Sequence, residues 1–199
     1  CAMFHDMGYA AREGADLKNG EPGFAPPYER HASAGARMLL RQRGFHQSKI
    51  LRALSTLEHH HDYSSPNGHP SIFASVIRIA EDYSNLTRLS GMGLNPHEAL
   101  KRMAAYSGQY YDPALIQLFI NRLGLYPPGT LLEVEIDLKG KPMVFILLSQ
   151  SLVRSPETFG LPICRLVRLH DGRDAPPALQ KRPIDLATKG RIIKVLNDF

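Results

Sequence analysis

Between Gly124 and Gly129 the chain changes its structural period, and this switch restricts its possible folds more than any other feature. Upstream, apolar residues recur three to four apart from Ala32 to Leu40, Lys49 to Leu57 and Ile72 to Leu86, the spacing that lines one face of an α-helix. Two more helices carry their own start signals. Asn95-Pro96-His97-Glu98 supplies an N-cap, a proline at the first helical position and an acid in the first turn, and the helix it opens runs to about Tyr106. Asp112-Pro113 opens another from Ala114 to Leu123, after which Gly124 and Pro127-Pro128-Gly129 end helical structure. Downstream, Leu132 to Leu138 alternates strictly between apolar and acidic residues, Lys139-Gly140-Lys141 reads as a turn, and an apolar run starts at Met143. That pattern is a β-hairpin. Ile163 to Leu169, followed by Asp171-Gly172, repeats it. The expected fold is mostly α, a helical domain over 1–126 with a small C-terminal β-rich appendage over 127–199.

With 199 residues the chain can bury a core of its own. Its 24 Lys and Arg against 19 Asp and Glu leave a formal charge of +5, compatible with a phosphate-bearing ligand but too small to argue for a nucleic-acid polymer. Cys1 and Cys164 are too few and too far apart for a disulfide framework, which suits a reducing cytoplasm. The longest apolar run, Met143 to Leu148, is far short of the roughly 20 residues of a membrane helix, so a soluble protein is expected. Cys1 is not an initiator and His5-Asp6 follows at once, so upstream sequence is expected to be missing.

Chemistry concentrates in histidines and acids. His5-Asp6 offers an imidazole beside a carboxylate, ligand types that neighbouring metal ions can share. His59-His60-His61-Asp62 follows the Lys49 to Leu57 helix, and His31 stands at the start of another. Arg37, Arg41 and Arg43 read as a solvated helix face, Met3, Met7 and Met38 as core packing, and Lys181-Arg182 and Lys189 to Lys194 as surface charge.

The order of these elements resembles the HD-GYP family, a branch of the HD superfamily, over Cys1 to about Leu132. The family's His-Asp-x-Gly-Lys matches His5-Asp6-Met7-Gly8-Tyr9, its next histidine matches His31, and its His-His-Glu matches His60-His61-Asp62. A gapless count back from the family's Gly-Tyr-Pro, here Gly68-His69-Pro70, selects His60 and His61 over His59. The family's later acidic ligand falls at Glu81, with Asp82 second because it lies one residue, about 100° of helix, out of register. Tyr111-Asp112-Pro113 and Gly124 to Gly129 match the family's Phe-Asp-Pro helix start and its exit into strands.

The resemblance implies an HD-type helical bundle that binds two or three transition-metal ions, iron or manganese, through His5, Asp6, His31, His60, His61 and Glu81 or Asp82. It implies a metal-dependent cytoplasmic phosphodiesterase that hydrolyses cyclic di-GMP to the linear dinucleotide pGpG or to GMP through a metal-bridging hydroxide, with Asp6 catalytic. Cyclic di-GMP or a related cyclic dinucleotide is the implied ligand, and signalling proteins of the diguanylate cyclase type are implied partners; neither a membrane nor a nucleic-acid polymer is. Tyr9 stands where the family's lysine meets the substrate phosphate, His69 replaces the tyrosine of Gly-Tyr-Pro, and Arg88 lies near an otherwise absent Arg-Pro-Tyr segment. Tyr9 and Arg88 are therefore the substrate-binding candidates. These departures also fit two alternatives, a catalytically degenerate metal- and nucleotide-binding sensor or protein-interaction module, and a phosphohydrolase for another nucleotide.

Overall fold

The computed structural model describes residues 2–10, 28–88, 93–150, 161–169, 171–188 and 190–197. Two 3-10 turns, Ala2–Phe4 and Met7–Ala10, come first. Five helices follow: α1 (Tyr28–Arg41), α2 (Gln47–Glu58), α3 (Ile72–Arg88), α4 (Pro96–Ala105) and α5 (Pro113–Leu123). Then come strands β1 (Leu131–Leu138), β2 (Lys141–Ser149) and β3 (Ile163–Arg168), the short helix α6 (Pro177–Gln180), and strands β4 (Pro183–Asp185) and β5 (Arg191–Leu196).

Side-chain caps set several of the helix starts. The His46 ring accepts from the Lys49 amide at the head of α2, Asn95 Oδ1 from the Glu98 amide at α4, and Asp112 Oδ1 from the Ala114 and Leu115 amides at α5. Each bond satisfies an amide that the first helical turn leaves without an intrahelical partner. Between β1 and β2, Lys139 and Gly140 both have positive φ, 58° and 79°, the conformation of a two-residue hairpin turn, and the Gly140 amide donates to Asp137 Oδ1.

The five strands form one antiparallel sheet in the order β4-β3-β2-β1-β5. Leu132, Val134, Phe145, Leu147, Cys164 and Leu166 from β1, β2 and β3 build its core with Ala175 and Leu186. The expectation of a mostly α protein with a small β-rich appendage is therefore overturned: the C-terminal region is a substantial five-stranded sheet with its own interior. Two strands hide in the sequence. β5 mixes Arg191 and Lys194 with apolar residues and reads as surface charge, yet it pairs with β1 from the far end of the chain. β4 is only three residues long, too short for any alternation to register.

The chain divides into two compact units, one of Cys1–Asp82 with Tyr106–Leu115 and one of Tyr83–Ala105 with Ile116–Phe199. In the first, Ala36 and Leu39 of α1 meet Ala53 of α2, and Met7 packs on them. Among the described residues, no helix is long and apolar enough to cross a membrane.

Candidate metal centre

The first unit gathers its histidines because small residues let backbone meet backbone. A Cβ on Gly8 would lie 1.8 Å from the His31 carbonyl oxygen and 2.8 Å from the Gly35 amide nitrogen, so only glycine allows the second 3-10 turn to lie directly on α1. Gly35 has a similar role, since a Cβ there would fall 2.9 Å from Thr56 Cγ2. This close approach carries Asp6 to the buried ring of His31, where Asp6 Oδ1 stands 3.3 Å from His31 Nε2.

Helix α2 delivers the next ligand candidates at its C-terminal end. His59 is still helical in backbone and fully buried, and His60 follows it half-buried. The His59 Nδ1–H donates to the Thr56 carbonyl at 2.7 Å, which turns its Nε2 lone pair toward Asp6 Oδ1, 3.7 Å away. His31 Nε2 lies 3.2 Å from His59 Nε2 and 3.3 Å from His60 Nε2. Arg78 of α3 donates from Nη1 to the His60 carbonyl and pairs through Nη2 with Asp62, fixing the turn that holds the pair.

Two adjacent acids of α3 have different surroundings. Glu81 Oε2 reaches His5 Nε2 at 3.7 Å. Asp82 lies toward Arg78 Nε at 3.5 Å and accepts from the Tyr111 hydroxyl at 2.8 Å. About 100° of helical rotation separates successive residues, enough to give neighbours different partners.

Two groups of donor atoms result, Asp6 with His31, His59 and His60, and His5 with His59 and Glu81; within each, all donors lie within 4.8 Å of one another. The His31 ring, then the His59 ring beside it, hold the Asp6 carboxyl well below the usual carboxylate range, so it is an anion. Burial, then the neighbouring His59, lowers His60 to about 3, which keeps the imidazole in its neutral, ligating form. Burial raises the Glu81 carboxyl, and the charge of Asp6 adds to the effect. Three ring nitrogens and a carboxylate oxygen converge here, a donor set that a cation can fill in place of shared ring protons. Mixed imidazole and carboxylate donors suit iron, manganese or zinc.

His5, Asp6, His31, His60 and Glu81 thus lie together. His59, which the gapless count passes over, is in the cluster as well, whereas His61 is exposed and lines cavities beside it. Tyr9 stacks on His31 with ring centroids 4.1 Å apart and planes at 14°. His69 stacks on Tyr63 and bonds its carbonyl through Nδ1. Arg88 ends α3, and its side chain lies outside the described residues.

No family model matches the chain. Over 116 residues it is 33% identical to a cyclic di-GMP phosphodiesterase of Pseudomonas aeruginosa, a match that takes in 53% of this chain and 27% of that protein. The chain therefore corresponds to about a quarter of the relative's length.

Proposed function

We propose that the chain is the metal-binding part of a phosphodiesterase that hydrolyses cyclic di-GMP to pGpG or GMP. The observation that carries this reading is the convergence of His5, Asp6, His31, His59, His60 and Glu81 within one compact unit. The similarity to a cyclic di-GMP phosphodiesterase supports the substrate class.

The two oxygens of Asp6 face different partners, so its carboxylate could be shared by two ions. Oδ1 is directed at His31 and His59, while Oδ2 lies 3.4 Å from His5. In this reading Asp6 Oδ1, His31, His59 and His60 would hold one ion, and His5 and Glu81, with Asp6 Oδ2 or His59, would hold another. When bound, iron or manganese ions supply a water that ionises near neutral pH and positive charge against the phosphate oxygens. The chain's own residues do the rest: burial keeps His60 neutral, Thr56 fixes the tautomer of His59, and Tyr9 braces His31 from its outer face.

Tyr9 also favours a second reading, a nucleotide-binding sensor without turnover, since a phenol stacked on His31 brings no positive charge to the phosphate. Metal analysis of anaerobically purified protein, coupled to chromatography of products from cyclic di-GMP, separates the two. Turnover with iron or manganese is expected. Tight metal and dinucleotide binding without product would establish the sensor instead.

A further inference from the structure

We propose that a cavity of about 440 Å³ beside His60 is a subsite for the half of a cyclic dinucleotide that carries the second, uncleaved phosphate, with Arg30 and His61 as its phosphate donors. The proposal rests on the phosphodiesterase reading above. Arg30, Ala32, Ser33, Leu57, His60 and His61 line the cavity, all from the first unit.

Adjacency to the metal centre follows from the chain itself. Arg30 immediately precedes His31 on α1, and His61 immediately follows His60, so two donors flank two ligand candidates. Because successive helical residues diverge by about 100°, His31 turns inward while Arg30 stays exposed. His60 belongs both to the cluster and to the cavity lining, so a diester held at the metals would have the cavity as its next space.

The lining selects the ligand chemistry. Ser33 Oγ donates to the Arg30 carbonyl at 3.0 Å, which leaves the Arg30 guanidinium and the His61 ring as the donors available to an anion. Leu57 and Ala32 add an apolar wall against which a base or ribose can lie. Among the described residues, no carboxylate lines this cavity. A neighbouring cavity of about 370 Å³ on the Ser64 to Asn67 side of His60 and His61 includes Asp62, which disfavours a phosphate there. Guanidinium forks match phosphate geometry, and the size suits a nucleotide-scale group.

The test compares manganese-loaded parent protein with Arg30→Ala, Arg30→Lys and His61→Ala, using cyclic di-GMP and bis(p-nitrophenyl) phosphate, which has a single phosphate. Metal content checks that each variant keeps its centre. Arg30→Ala is expected to raise KM for cyclic di-GMP about tenfold, the loss of one charge-assisted hydrogen bond. The rise should be several times larger than for bis(p-nitrophenyl) phosphate, with partial rescue by Arg30→Lys and a smaller rise in His61→Ala. Equal rises for both substrates, or an unchanged Kd for cyclic di-GMP in Arg30→Ala, would overturn the subsite alone. A parent protein that neither binds nor hydrolyses cyclic di-GMP while cleaving the small diester would overturn the cyclic di-GMP reading, and the subsite with it.

Discussion

The interiors of the two units differ in the polar groups they bury beside their apolar ones. In the sheet, Leu132, Val134, Leu147 and Cys164 are fully buried, and the buried hydroxyls of Thr130 and Ser149 donate to backbone carbonyls. In the first unit the fully buried positions include His31, His59 and Ser55, and Lys49 is buried with its amine on the carbonyls of Gln42 and Gly44. An apolar interior is favourable by itself, because each buried methylene contributes roughly 0.8 kcal/mol. A polar interior gains only when its donors and acceptors find partners, and inward-facing imidazoles gain most from a cation. The comparison predicts that, in the proposed metal-bound protein, stability in the first unit depends on occupancy of the site and stability in the sheet does not.

The sharpest way to break this contrast is Gly8→Val. Any side chain there collides with the His31 carbonyl, so the second 3-10 turn must leave α1 and take Asp6 with it. Loss of nearly all bound metal is expected, with hydrogen exchange rising over α1 and α2 and unchanged over β1 to β3. Protection lost equally over α1, α2 and β1 to β3 would refute this expectation. Asp6→Ala should come next, lowering affinity for both ions together in the proposed arrangement, where Asp6 Oδ1 faces His31 and Oδ2 faces His5. His59→Ala should release far more metal than His61→Ala in elemental analysis; the reverse order would exclude His59 as a ligand.

Leu147→Ala should act on the other side of the comparison. Truncating this fully buried side chain is expected to cost about 2 to 5 kcal/mol in denaturant unfolding of the sheet. Metal content should stay at the parent level. A smaller effect is expected of pH on the metal-free protein. His60 is lowered from its ordinary 6.5 to about 3, so the unfolded chain binds a proton there that the folded chain refuses. Stability from this group is complete above pH 6.5 and declines as pH falls toward 3. Melting curves between these limits check the sign, and a rise in stability on acidification would contradict it. The smallest effect should come from His46→Ala, which removes the α2 cap at a cost of about 1 kcal/mol.

Much of the helical part was legible because its signals are local. The caps at Asn95 and Asp112 and the apolar faces of α1, α2 and α3 depend on residues within a turn or two of one another. The full sheet was not, because β5 gains its partner β1 from a distant part of the chain and shows no alternation of its own. The histidine run illustrates the same limit at finer scale. Motif spacing from Gly68 to Pro70 points to His60 and His61, whereas the buried face of α2 gives another count: Thr56 plus three is His59, and plus four is His60. Helical geometry continues one residue past the end of α2, and a gapless match to a motif takes no account of that. Glu81 and Asp82 differ only by which side of α3 they leave, and the Arg78 and Tyr111 partners of Asp82 come from the tertiary fold.

Cys164 offers a clock for the sheet. Its thiol is fully buried on β3, and burial pushes its pKa up to about 12, so an alkylating reagent meets neither an accessible sulfur nor a thiolate while the strands stay paired. Modification then waits for the strands to separate, and its rate, followed by mass spectrometry of the peptide around Cys164, measures how often that opening occurs. The same trace with and without manganese reads whether events at the histidine cluster of the first unit are felt in a strand that shares no ligand with it.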